Sequence, residues 1–130
     1  MLVNLTPHPL NIYPPNTPDR IAPGSVAPTL VIPPLPAQPA ARLGHTVVGT
    51  SFVHNGVVVE DVAFGPEAGK TTRLPDPLPG TWYIVPLVVG LAATHRDDLL
   101  VPHDYVRDLS GSIIGSRKLA RPTRRTTMTT

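Results

Sequence analysis

Residues 80–98, GTWYIVPLVVGLAATHRDD, hold the chain's one Trp, one of its three Tyr and its longest apolar run. Residues 81–85 (TWYIV) are β-branched and aromatic, which predicts a strand. Pro86 brings the fixed φ and missing N–H that a first helical turn tolerates. Leu87, Val88, Leu91 and Ala92 then recur at helical spacing as one face, and His95-Arg96 fall near the end of the segment, where the dipole favours cations. A buried strand running into a short helix is the predicted seed of the core. Trp82 and Tyr83 point to opposite sheet faces, so one packs inward while the other is offered outward.

Working outward, 130 residues suit one domain. A chain of that size has difficulty closing a deep pocket without a second copy. Eighteen prolines and ten glycines stay below the level that implies disorder on composition alone. The prolines crowd residues 7–39 and 66–86. No window reaches the length of a membrane span and no basic-then-apolar leader opens the chain, so a cytosolic protein is expected. Zero Cys excludes disulfides and thiolate metal sites. The net charge of +2 is uneven. Arg117, Lys118, Arg121, Arg124 and Arg125 lie in the last stretch with no acid after Asp108, and the rest carries six bases against nine acids. The bland reading of such an end is a solvated flexible tail, here residues 121–130, after a single ligand-binding domain at 1–120.

Residues 1–13 read as two short strands around a Thr-Pro-His-Pro turn. Residues 14–39 favour extended polyproline geometry, with one short edge strand over 26–32. Residues 42–52 and 57–64 form a predicted hairpin across His54-Asn55-Gly56, because Asn-Gly suits a tight turn. Residues 105–109 and 112–119 flank Ser110-Gly111 as a second. The fold class is α+β: a mostly antiparallel sheet with one main helix, a Pro-rich N-terminal third and a basic C-terminal tail.

The chemistry-bearing motifs are mostly negative. Gly65-Pro-Glu-Ala-Gly69-Lys70-Thr71 has three residues between its glycines where a P-loop has four, and the residues after it cannot form the phosphate-holding helix. His8, His45, His54, His95 and His103 show no metal-binding spacing, though Asp97, Asp98 and Asp104 lie near two of them. The serines lack a nucleophile elbow. Asp97 and Asp98 would diverge by about 100° on a helix, a poor geometry for shared acid–base work. No catalytic residue, metal or cofactor is assigned. What remains is a binding inventory. Arg42, Arg73, Arg96 and Arg107 offer guanidinium forks that match phosphate oxygens. Trp82 or Tyr83 offers a face for a base, and Asp108 an acceptor for an amino group or ribose hydroxyl. Cation, aromatic face and carboxylate together describe a nucleotide pocket.

Three segments narrow this. Asn4-Leu5-Thr6-Pro7-His8, Gly80-Thr81-Trp82-Tyr83-Ile84-Val85, and Val106-Arg107-Asp108 followed by Gly111-Ser112-Ile113-Ile114-Gly115 recur in this order in a family of small phage-borne proteins. With Arg42 in Ala41-Arg42-Leu43, the pattern covers about two-thirds of the chain, and it is most similar to the anti-Thoeris sponges of the first described type. That resemblance implies capture of cyclic ADP-ribose isomers, held unmodified in the host cytoplasm so that a bacterial immune effector is never activated. Assemblies of the family can also hold cyclic oligonucleotides. It implies a homo-oligomer, a dimer or trimer of dimers, with the pocket between protomers and neither membrane nor nucleic acid as partner. Carried over, Tyr83 would stack on the ligand with Trp82 as alternate, Arg42 and Arg107 would grip the pyrophosphate, and Asp108 would orient a polar edge. The run over 14–39 is longer than the family's connection, and Pro86 stands where Ser is common. Two other classes stay open: an enzyme degrading such a signal through His8 or His103, and a structural or nucleic-acid-associated phage protein using the tail.

Overall fold

A computed structural model describes residues 1–35, 41, 45–64 and 74–123. Within them the chain is mostly β-sheet with one short helix. The strands are β1 (Leu2–Asn4), β2 (Leu10–Ile12), β3 (Arg20–Ile21), β4 (Leu30–Ile32), β5 (His45–His54), β6 (Val57–Phe64), β7 (Trp82–Ile84), β8 (Leu99–Asp108) and β9 (Ile113–Ala120), with helix α1 (Leu87–Ala92) between β7 and β8. No helix among the described residues is long and apolar enough to cross a membrane.

Strand β8 is the spine. From Val101 to Arg107 it pairs antiparallel with β9 on one side. On the other side β7 pairs parallel with its first two residues, and β3 pairs parallel with its last two. Strand β1 extends the sheet beyond β7, while β2 and then β4 extend it beyond β9. The long pairings are therefore antiparallel, as expected, and the short ones are mostly parallel. Parallel neighbours need a crossover of a dozen or more residues, and residues 85–98, carrying α1, supply it between β7 and β8.

The two hairpins follow their turn chemistry. Asn55 and Gly56 adopt φ of 49° and 79°, both left-handed as a two-residue primed turn requires, and join β5 to β6. Gly111, at φ 92°, closes β8 onto β9. The β5–β6 hairpin pairs only with itself among the described residues and exposes Val47, Val48, Val57 and Val58.

Helix α1 corrects the expected face. Val89 and Gly90 are its buried residues, while Leu87, Val88 and Leu91 are about half exposed, at 47%, 55% and 59%. The reason is Gly90: a Cβ there would stand 2.8 Å from Val101 Cγ1 and 3.0 Å from Pro122 Cγ, so its bareness lets the helix settle onto β8 by that side. His95 and Arg96 lie beyond the helix rather than in its last turn.

The core has two parts, one toward each end of β8. Tyr83, Val85, Val89, Ala93, Leu99 and Val101 pack with Leu5 and Ala41 beneath α1. Tyr13, Ile21 and Val106 make the second cluster. Between them β8 bends at Asp104, which has φ 61°, a left-handed conformation that Asp tolerates better than most residues. The partly buried guanidinium of Arg117 braces this position, donating from Nε to Asp104 Oδ2 (3.1 Å), from Nη2 to Asp104 Oδ1 (2.8 Å) and to Asp19 Oδ1 (2.6 Å), and from Nη1 to the Thr17 carbonyl. That partner holds the Asp104 carboxyl below its ordinary range.

Candidate functional site

Alternation along β7 sends its two aromatic rings to opposite faces. Tyr83 turns inward, 3% exposed, with its hydroxyl 3.4 Å from the Asp76 carbonyl. It is a core residue here and has no free face for a ligand. Trp82 turns outward, half-buried, and lines an open cleft of about 510 Å³. The volume falls within the range of small-molecule sites. Pro77, Leu78, Gly80 and Thr81 form one wall, and residues 95–98 the other.

Arg96 ties its wall to the segment that leads into the other. Arg96 Nε and Nη2 donate to Asp98 Oδ1 (2.9 Å) and Oδ2 (2.7 Å), and Nη1 donates to the Pro75 carbonyl (2.8 Å). The bidentate bond holds the Asp98 carboxyl below its usual range and raises the Arg96 guanidinium further. Arg96 is thereby a scaffold residue; His95 and Asp97, both exposed, are the polar groups that the cleft offers.

A second cation stands at the indole. The Arg121 guanidinium carbon lies 4.9 Å from the Trp82 ring centroid, within cation–π range. The boundary expected after residue 120 thus divides a contact: residues 121–123 belong to the folded body, and 124–130 lie outside the described residues. Composition marked Arg121 as tail; its place over Trp82 depends on the sheet order, which local sequence does not encode.

The remaining expected residues occupy the far end of β8. Arg107 is exposed and donates from Nη1 to the Gly111 carbonyl (2.9 Å). Asp108 Oδ1 accepts from Ser110 N (2.9 Å), Ser110 Oγ (2.6 Å) and Ser112 N (3.0 Å), so it builds the turn, and its carboxyl is held low chiefly by the Ser110 hydroxyl. Leu99, beside Tyr83, is eight residues from Arg107 on β8, roughly 25 Å of extended strand. The fold therefore does not bring Trp82 together with Arg107 and Asp108. Arg42 and Arg73 lie outside the described residues.

The first motif has a structural part as well. Asn4, 2% exposed, donates from Nδ2 to the carbonyls of His8 (2.8 Å) and Ile32 (3.0 Å), and its Oδ1 accepts from Thr6 N (2.8 Å) and Thr6 Oγ1 (2.6 Å). His8 is exposed on a smaller cleft of about 200 Å³ beside Tyr105, and His103 is exposed on β8. Among the described residues no three His, Asp or Glu converge as a metal site would need. Comparison of the chain with family models, with curated proteins and with solved structures returned no match.

Proposed function

We propose that this chain captures a cyclic ADP-ribose-type signal in the Trp82 cleft and holds it uncleaved, acting in the cytoplasm of a bacterium under phage attack. The observation that carries the reading is the Trp82 indole, which turns outward from β7 and lines a ligand-sized cleft. An aromatic face for a base beside a fork for a phosphate is the minimum equipment for a nucleotide. A stacked base is worth about 1–3 kcal/mol and each charge-assisted hydrogen bond about 1.5–3 kcal/mol. Three or four such contacts reach the ~8 kcal/mol of micromolar binding.

The second half of the grip comes from another copy. Arg107 is about 25 Å along β8 from the Trp82 end, too far to share one small ligand within a protomer, and a symmetric interface is the economical way to join the two ends. Exposed apolar surface supports such assembly: Leu87, Val88 and Leu91 on α1, and the valines on both faces of the β5–β6 hairpin. A lone two-stranded hairpin is marginal in water and gains from being covered.

The test follows Trp82 fluorescence, unambiguous because the chain has one Trp, during titration with cyclic ADP-ribose. The complex is then heat-denatured and the ligand analysed. Saturable quenching and intact ligand support capture. Recovery of a linear product would instead make the protein a degrading enzyme, and a silent titration would remove the reading altogether.

A further inference from the structure

We infer that Arg121, which stands against the Trp82 indole and outside the residues that line the cleft, grips the phosphate that accompanies a base stacked on that indole; this rests on the capture reading above. The segment that carries it is seated. Strand β9 ends at Ala120, and Pro122 packs into the notch left by Gly90, where a Cβ would stand 3.0 Å from Pro122 Cγ. Arg121 is thereby held over Trp82 between a strand end and a docked proline. Its guanidinium lies 4.9 Å from the indole centroid, and the residue is exposed.

Among the described arginines the other candidates are committed or remote. Arg96 makes three hydrogen bonds to Asp98 and Pro75. Arg117 is committed to the carboxylates of Asp104 and Asp19. Arg20 and Arg107 pair with one another across β3 and β8, at the opposite end of the spine. Arg121 makes no hydrogen bond or ion pair to any described residue, so its donors remain for a ligand. A guanidinium carries its N–H donors in one plane, and two of them match the oxygens of one phosphate. The cleft also has a polarity. Asp97, exposed on the wall, repels a phosphate and accepts from an amino or hydroxyl group, so the base or ribose edge turns toward Asp97 and the phosphate toward Arg121.

The experiment uses the full chain and cyclic ADP-ribose, with Trp82 fluorescence and calorimetry at several salt concentrations. Arg121→Ala is expected to weaken binding ~10- to 100-fold and to flatten the salt dependence. Arg121→Lys, which keeps the charge and loses the fork, is expected to fall between, with the salt dependence retained. Melting of Arg121→Ala should match wild type, since the side chain is exposed. Wild-type affinity in Arg121→Ala would overturn the inference and leave the capture reading standing. Weakened binding with unchanged salt dependence would also overturn it, reducing Arg121 to a support for the indole. A wild-type chain that binds nothing removes both.

Discussion

Gly115 offers a perturbation whose sign is decided by magnitude. Its φ is outside the left-handed region, so alanine is conformationally permitted there. Taken alone, Gly→Ala would stabilise by about 0.4–1 kcal/mol through the unfolded chain. Against this, a Cβ on Gly115 would stand 2.5 Å from the Asn11 carbonyl oxygen, 2.5 Å from Tyr13 Cε2 and 2.9 Å from Tyr13 Cδ2. The obstacle is partly backbone, and it is fastened: Tyr13 N donates to the Ser116 carbonyl (2.9 Å) and Asn11 Nδ2 to the Ile114 carbonyl (3.0 Å). Relief requires β2 to shift off β9, and overpacking of this kind costs about 1–3 kcal/mol or more. The upper end applies, because two contacts are at once too short, one of them to the Asn11 backbone and the other to a Tyr13 ring packed in the core. Gly115→Ala is therefore expected to destabilise by about 2 kcal/mol net, a fall in Tm of about 6–10 °C for a chain of this length. Thermal melts followed by circular dichroism read it directly. Gly49→Ala is the control, since nothing lies within 4 Å of its added Cβ, and it should hold or raise Tm. A Gly115→Ala melt at or above wild type would refute the close packing of β2 on β9.

Other consequences are as concrete. Trp82→Ala should cost cyclic ADP-ribose affinity about 5- to 100-fold, and Trp82→Phe less, read by calorimetry with the fold unchanged because the indole is half-exposed; equal affinity in Trp82→Ala would dismiss the indole as a platform. Asp98→Asn removes the Arg96 ion pair, worth of the order of 1 kcal/mol at this partly exposed site. The folded Asp98 carboxyl sits below its ordinary value of 3.8. Its contribution is thus present above that value and lost as pH falls through the lower folded one. The gap in Tm between wild type and Asp98→Asn should be full at pH 7 and vanish under strong acid; a gap constant to pH 2 would contradict the pairing. Val58→Glu on the exposed hairpin should lower the assembly state seen by light scattering, whereas a monomeric wild type would dismiss the hairpin as an interface.

Much of this fold was legible locally. Asn55-Gly56 selected a turn that only left-handed residues make, and the β5–β6 hairpin follows. Alternation correctly put Trp82 and Tyr83 on opposite faces. Which one went inward depended on what lies beneath β7, namely Leu5, Val89 and Val101, drawn from three separate elements or loops. Helical spacing in residues 87–93 allows two stripes, Leu87-Val88-Leu91 and Val89-Gly90-Ala93. The bulkier stripe was the expected core face, yet the bare Gly90 gave the closer approach and won. The short strands β1, β2 and β3 pair across long stretches of chain, so their parallel register is a tertiary outcome. The candidate site was less legible: the motifs put Tyr83 first with Trp82 as alternate, yet Tyr83 is buried, Asp108 serves its own turn, and Arg121 stands against the indole from a stretch that charge alone marks as tail.

The claim that everything functional depends on is that two copies of the chain build one grip, Trp82 from one and Arg107 from the other. Mixing refolded Trp82→Ala and Arg107→Ala chains in equal amounts tests it most directly, by calorimetric stoichiometry for cyclic ADP-ribose. Each variant alone should bind poorly. In the mixture, random pairing into dimers should restore about a quarter of the sites at wild-type affinity. A mixture no better than its components, with each variant still forming dimers, would contradict the shared site.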